Sequence, residues 1–146
     1  MQQALAPEGK IVNLLLVEDD DIDAIGVERA LKRRRIINPL FRARDGIEAL
    51  EMLRSGRVAR PFLILLDLNM PRMGGLEFIR EIRDDPALSD TVVFVLTTSK
   101  SDEDLAAAYR NHVAGYIVKN EFGDSFSGLV QMLDAYWQIV ELPKGR

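Results

Sequence analysis

Phe62-Leu63-Ile64-Leu65-Leu66-Asp67-Leu68-Asn69-Met70-Pro71-Arg72-Met73-Gly74-Gly75 is an unbroken apolar run closed by an acid and then by a Pro/Gly-rich segment. Five apolar residues in a row without helical spacing describe a strand buried on both faces of a parallel sheet. Asp67 ends the run, and residues 70–75 break regular structure into a loop. A carboxylate in that place stands at the carboxyl end of a central strand, where open α/β sheets hold their ligand sites. Taken alone, Asp67 could equally cap the next turn, because Asp is a common turn residue.

Three more runs end in polar chemistry. Ile11 to Val17 leads into Glu18-Asp19-Asp20-Asp21, Val92 to Leu96 into Thr97-Thr98-Ser99, and Val113 to Val118 into Lys119. If these strands are parallel neighbours, Glu18, Asp19, Asp67, Thr97 and Lys119 converge on one edge of the sheet. Water-facing carboxylates so clustered suit a hard divalent cation such as Mg²⁺, which prefers a few carboxylates, a backbone carbonyl and waters.

The 146 residues suffice for one domain with a proper core. A formal charge of -4 does not suggest general nucleic-acid binding, and the absence of cysteine excludes disulfide and thiol chemistry. No apolar stretch approaches membrane-spanning length, and Met1 to Lys10 lacks a signal peptide's apolar core, so the expected location is cytoplasmic.

In chain order, strands alternate with helices. Residues 1–10 read as a loose tail, 11–140 as the domain and 141–146 as a C-terminal extension. From Asp21, the apolar residues Ile22, Ile25, Val27, Ala30 and Leu31 recur at roughly helical spacing. Acids open this helix and Lys32-Arg33-Arg34-Arg35 close it, as the helix dipole favours; the basic run therefore needs no nucleic acid to explain it. Asp20, Asp21 and Asp23 read as helix-start charges rather than ligands.

Pro39 to Arg44 is a short, weak strand, and Asp45-Gly46 a turn into a helix carrying Ile47, Ala49, Leu50 and Leu53, which ends near Ser55-Gly56. Leu76, Phe78, Ile79 and Ile82 mark a third helix, stopped before Pro86. Ser101 or Asp102 can cap a fourth helix through Tyr109. A last helix is expected from about Asp124 to Val140, with Phe126, Leu129, Val130, Leu133, Tyr136, Trp137 and Val140 as its apolar positions. Five strands alternating with five helices describe a doubly wound parallel sheet with right-handed crossovers.

Leu16-Val17-Glu18-Asp19-Asp20, Leu65-Leu66-Asp67-Leu68-Asn69-Met70-Pro71-Arg72-Met73-Gly74-Gly75, Leu96-Thr97-Thr98-Ser99 and Gly115-Tyr116-Ile117-Val118-Lys119, in that order, resemble the receiver domain of two-component response regulators. The resemblance covers about Ile11 to Val140. It implies a flavodoxin-like sheet of order 2-1-3-4-5, a phosphoacceptor aspartate and a Mg²⁺ site. Carried over by position, Asp67 is phosphorylated, Asp19 and Asp67 bind Mg²⁺ directly, Asn69 adds its backbone carbonyl, and Glu18 acts through a metal-bound water. Thr97 and Lys119 contact the phosphoryl oxygens, and Tyr116 is the aromatic switch. The lone His112 reads as a surface residue near a helix end.

Receivers usually carry proline after the strand-five lysine, with a cis peptide; here Asn120 follows Lys119, which leaves that peptide and the loop Asn120 to Asp124 open. This feature, the pairing of Leu96-Thr97-Thr98-Ser99 with Asp102-Glu103-Asp104, and the ending Tyr136-Trp137-Gln138-Ile139-Val140-Glu141-Leu142-Pro143 resemble single-domain regulators partnered with bacterial and cyanobacterial phytochrome histidine kinases. That resemblance implies a red-light signalling chain and a homodimer using the fourth helix, fifth strand and C-terminal segment. Trp137, Ile139, Val140 and Leu142 are candidate dimer contacts, and Trp137 could instead fold back on its own domain. Output is expected through protein contact or through drawing phosphoryl groups from another regulator.

Other classes fit less well. Haloacid-dehalogenase-type phosphatases need an aspartate two residues after the nucleophile, where this chain has Asn69, and no Gly-x-x-x-x-Gly-Lys loop supports nucleotide hydrolysis. A receiver-like interaction module that is never phosphorylated is the remaining alternative.

Overall fold

The computed structural model describes residues 11–119, 126–139 and 142–143. Ten elements alternate: β1 (Asn13–Val17), α1 (Asp21–Arg33), β2 (Leu40–Ala43), α2 (Gly46–Arg54), β3 (Phe62–Leu66), α3 (Gly75–Asp84), β4 (Val93–Thr97), α4 (Asp102–Arg110), β5 (Gly115–Val118) and α5 (Ser127–Ile139). The five strands form one parallel sheet of order β2-β1-β3-β4-β5, the doubly wound architecture that the sequence patterning and the resemblance imply. The chain reverses direction of winding between β1 and β3. The crevice for a ligand in such a sheet opens there, at the carboxyl ends of the strands.

The apolar runs lack polar alternation because successive residues meet two different helical layers. Leu15, Val17, Ile64, Leu66, Val93 and Val95 face α2, α3 and α4 through Leu50, Leu53, Phe78, Ile79, Ile82 and Ala108. Leu14, Leu16, Leu63, Leu65, Phe94 and Leu96 face α1 and α5 through Val27, Leu31, Leu129, Val130, Leu133 and Trp137. Phe94 also meets Tyr136 edge to face, with ring centroids 5.1 Å apart.

The helices start where side chains can accept their first amide protons. Asp20 caps α1 by accepting from Ile22 and Asp23 N–H, Asp45 caps α2 by accepting from Glu48, and Ser101 caps α4 by accepting from Asp104. At the far end of α1, Lys32 pairs with Glu28 and Arg34 reaches Asp134 on α5, so part of the basic run is tied into the fold. Arg83 on α3 donates to the carbonyls of Ser89, Thr91, Asn111 and His112, holding the turns before β4 and β5. His112 is exposed, with φ of 60°, in the turn after α4.

Some expectations change on tertiary packing. Ile22 is 81 % exposed and Ile25 lies on the surface, because Ala24, Val27, Ala30 and Leu31 form the buried stripe of α1, and Ile47 lies outside the buried stripe of α2 formed by Ala49, Leu50, Met52 and Leu53. Trp137 and Leu142 are buried in the α1/α5 core and present no surface to a second copy. Enclosing a large apolar side chain contributes roughly 2 to 3 kcal/mol, which favours the folded-back alternative for Trp137. The other two candidate contacts, the Ile139 side chain and Val140, lie outside the described residues, as do the Lys119-Asn120 peptide, Asp124 and both termini. No described helix is long and apolar enough to cross a membrane.

Gly75 is the tightest approach of the β3–α3 connection. A Cβ there would stand 2.5 Å from the Asp67 carbonyl oxygen and 2.7 Å from the Leu68 Cα, both backbone atoms, whereas one on Gly74 would meet nothing closer than 3.4 Å. Gly75→Ala is therefore expected to cost about 1 to 3 kcal/mol or more by forcing the chain next to Asp67 to move, and Gly74→Ala less than about 1 kcal/mol. Urea unfolding of the two variants beside the native protein measures the difference.

Candidate functional site

Each polar residue that ends a strand is delivered to the same edge. Glu18 follows β1 and donates its N–H to the Ala43 carbonyl at 2.9 Å; Asp67 follows β3 and donates to the Val17 carbonyl at 3.0 Å. Thr97 is the last residue of β4, and Lys119 follows β5. Glu18, Asp67, Thr97 and Lys119 are all buried, an unusual state for charged side chains unless they are paired.

The charged three are paired through Lys119, while Thr97 accepts from the Ser99 N–H. The Lys119 ammonium lies 2.7 Å from Glu18 Oε1, 2.7 Å from Asp23 Oδ2 and 3.5 Å from Asp67 Oδ2. Burial works against the charged lysine, but Asp23 and Glu18 outweigh it and hold its pKa above the ordinary range. Glu18 has the opposite balance. Burial, reinforced by the neighbouring Asp67 charge, exceeds the pull of Lys119 and raises its pKa to about 7.

One oxygen each from Glu18, Asp19 and Asp67 lie within 4.8 Å of one another. This all-oxygen, carboxylate-rich set fits a hard divalent cation of the Mg²⁺ or Mn²⁺ type and offers nothing to a soft one. Asp67 Oδ1 accepts the Asn69 N–H at 3.3 Å, which fixes the start of the loop against the carboxylate. Further along, the Arg72 guanidinium clamps Asp45 Oδ2, with Nε at 2.6 Å and a second contact from Nη2, and Gly46 donates to the Met73 carbonyl. Burial pushes the Asp45 carboxyl up, but the Glu48 N–H and Arg72 prevail and hold it below the usual range. The loop after Asp67 is thereby bound to the cap of α2.

Thr97 and Tyr116 do not touch directly in the described hydrogen bonding; Ser99 stands between them. Its N–H donates to Thr97 Oγ1 at 3.3 Å, its carbonyl accepts from the Tyr116 hydroxyl at 3.0 Å, and its own hydroxyl donates to Asp104 Oδ2 at 2.6 Å in the first turn of α4. The Tyr116 ring is partly buried against the α2/α3/α4 core.

Two participants, Asp23 and Ser99, escaped the sequence reading. In sequence Asp23 reads as a helix-start charge; with Asp20 as the cap it occupies the third helical position, a spacing that turns a carboxylate back toward the start of the helix. Ser99 lies two residues after Thr97, the spacing of a local hydroxyl-to-amide bond.

The Glu18 pKa sets a pH dependence. A folded pKa raised from 4.5 to about 7 means that Glu18's contribution to stability is full below 4.5 and is lost as pH rises through about 7. Because glutamine does not titrate, the stability of the metal-free native protein relative to Glu18→Gln should fall by about 1 to 3 kcal/mol between pH 5 and pH 8. Denaturant unfolding of both proteins across that range gives the slope.

The chain is similar to known proteins over most of its length. The family model for the response regulator receiver domain matches residues 14–131. The chain is 38% identical over 135 residues to response regulator Rcp1 of Synechocystis sp., spanning 89% of this chain and 92% of Rcp1. The crystal structure of the Mn²⁺-bound form of Rcp1 matches with a TM-score of 0.77, covering 90% of this chain and 98% of that one. The phosphorylated cyanobacterial phytochrome response regulator RcpA is 34% identical, with a TM-score of 0.80 over 90% of this chain and 97% of its own. Matched in sequence and in fold over most of its length, the chain belongs to the response regulator receiver domain family.

Proposed function

We propose that this protein accepts a phosphoryl group from a histidine kinase, of phytochrome type, onto Asp67 with Mg²⁺. It then signals through a change at Thr97 and Tyr116 that alters the face made by α4, β5 and α5. The observation that carries the reading is the meeting of Asp67 with Glu18, Asp19 and the Lys119 ammonium at one edge of the sheet. The names of the relatives add to it, one being a Mn²⁺-bound form and the other a phosphorylated phytochrome regulator.

In the transfer, an Asp67 carboxylate oxygen attacks the phosphorus of a phosphohistidine. The new O–P bond forms as the P–N bond breaks, and the imidazole nitrogen keeps the electron pair. A carboxylate approaching an anionic phosphoryl group needs nearby positive charge, and Lys119, 3.5 Å from Asp67, supplies it. Asp19 and Asp67 would hold Mg²⁺, with Asn69 through its carbonyl and Glu18 through water; once bound, the ion supplies further positive charge at the phosphoryl oxygens. The chemistry is confined to the protein's own phosphorylation and dephosphorylation, so it is a switch rather than an enzyme acting on substrates. A cytoplasmic location goes with this reading.

The phosphoryl oxygens then accept from the Thr97 hydroxyl, whose oxygen at rest accepts from the Ser99 N–H, so moving Thr97 inward stretches that second bond. Drawing Thr97 toward Asp67 releases Ser99, whose carbonyl holds Tyr116 and whose hydroxyl holds Asp104 at the start of α4. The outcome is a population shift, so a share of the active-like conformer is expected before phosphorylation. Leu105 and Tyr109 on α4 and Met132 on α5 are exposed apolar residues on the elements of this face, available to a partner or a second copy in place of Trp137 and Leu142.

Incubation with acetyl phosphate should add one phosphoryl mass to the native chain in the presence of Mg²⁺ and none after chelation or in Asp67→Asn, with the label stable to acid and labile to base. Intact-mass spectrometry and oligomer size are read on the same samples. If neither acetyl phosphate nor a phytochrome kinase modifies Asp67, the protein is an interaction module with a receiver fold. For the switch, Thr97→Ala should still be phosphorylated, yet the amide resonance changes at Ser99 and Tyr116 seen on phosphorylation of the native chain should be largely lost. Undiminished changes in the variant would show that the signal does not pass through Thr97.

A further inference from the structure

We propose that Asp23 is the resting counter-ion that Lys119 gives up when Asp67 is phosphorylated, and that this makes Asp23 a positioning residue controlling how readily the phosphoryl state forms. The proposal rests on the receiver reading given above and adds a residue to it.

The geometry of the ammonium is the starting point. Two of its contacts are short, to Glu18 and Asp23 at 2.7 Å each, while Asp67, the residue it must serve, stands at 3.5 Å. Lys119 is thus drawn toward β1 and α1 rather than toward the phosphoacceptor. Asp23 is available for this role through a local arrangement at the start of α1. A carboxylate at the third helical position commonly returns to the N–H of the capping residue. Here the Asp20 N–H is taken by Glu18 Oε2 at 3.2 Å, and Asp23 points its Oδ2 at Lys119 instead.

The two short partners are not equivalent. The Glu18 side chain is 2 % exposed, with one oxygen on Lys119 and the other on the Asp20 amide, so stripping it of the lysine would leave a buried charge with little compensation. The Asp23 side chain is 29 % exposed, so water can replace the ammonium there at lower cost. A phosphoryl group on Asp67 adds about two negative charges and new acceptor oxygens on the side of Lys119 where contact is now longest. Exchange of Asp23 for a phosphoryl oxygen is the rearrangement of lowest cost, and the strength of the Asp23 contact opposes it.

The test uses beryllofluoride, a stable tetrahedral mimic of a phosphoryl group on a carboxylate, titrated calorimetrically at saturating Mg²⁺ so that changes in metal affinity do not enter. Native protein, Asp23→Asn and Asp23→Glu are compared, each checked for an unchanged unfolding midpoint. Asp23→Asn keeps the size and removes the charge, and it should bind beryllofluoride about threefold to tenfold more tightly than the native chain. Asp23→Glu restores the charge and should return toward native affinity. Equal or weaker binding by Asp23→Asn, or tightening by Asp23→Glu as large as that by the amide, overturns the proposal. A native chain that binds beryllofluoride but shows no effect of Asp23 refutes this inference alone. A native chain that neither binds it nor is phosphorylated at Asp67 refutes the receiver reading as well.

Discussion

A single buried ammonium holds the site together. Lys119 enters at the end of the fifth strand, Glu18 at the end of the first, Asp67 at the end of the third and Asp23 on the first helix, and all three carboxylates meet this cation. Without it, Glu18 and Asp67 would be like charges in a desolvated crevice. Even with it, burial leaves Glu18 titrating near 7. The site is therefore a compact arrangement of excess negative charge, stored around Asp67. Such an arrangement is poorly explained as a device for stability, since buried ion pairs seldom exceed their desolvation cost. It is well suited to a group that must attract a divalent cation and an anionic phosphoryl donor in turn.

The surroundings make that charge cluster rigid on one side and responsive on the other. Below Asp67, the loop is held by Arg72 on Asp45, by the Gly46 amide on the Met73 carbonyl, and by the close passage of Gly75 over the Asp67 and Leu68 backbone. That side has no slack. Toward β4 and β5, Ser99 makes one hydrogen bond with Thr97, one with Tyr116 and one with Asp104. These are single bonds that can be exchanged at about 1 kcal/mol each, which is the scale on which a two-state element is biased. Stiffness at the Asp67 carboxylate and exchangeable contacts leading to α4 are what the proposed phosphorylation switch requires.

Much of the fold was readable from local pattern. The runs at 62–66 and 92–96, with no polar alternation, read as strands covered on both faces, and the charges from Asp20, the Asp45-Gly46 turn and the Ser101/Asp102 pair marked where helices begin. The site was readable in part, because a residue at the end of a strand is placed by chain order. Reading failed where one helix presents apolar residues on two sides. Ile22 and Val27 look alike in sequence, but the sheet accepts only the stripe carrying Val27. Trp137 likewise reads as a surface anchor or a core residue until the space beside Leu14, Leu16 and Leu63 is known to need filling.

What the sequence alone determined was therefore the alternation of strands and helices and the identity of the residues delivered to strand ends, since both follow from periodicity and capping over a few residues. Tertiary structure decided which of those residues touch. Lys119 meets Glu18 across 101 positions and Asp23 across 96, and only the order β2-β1-β3-β4-β5, with α1 packed beside α5 over one face, brings them within 2.7 Å. Contacts of that range are set by how layers pack and by the need of a buried charge for partners, neither of which any local stretch of the chain encodes.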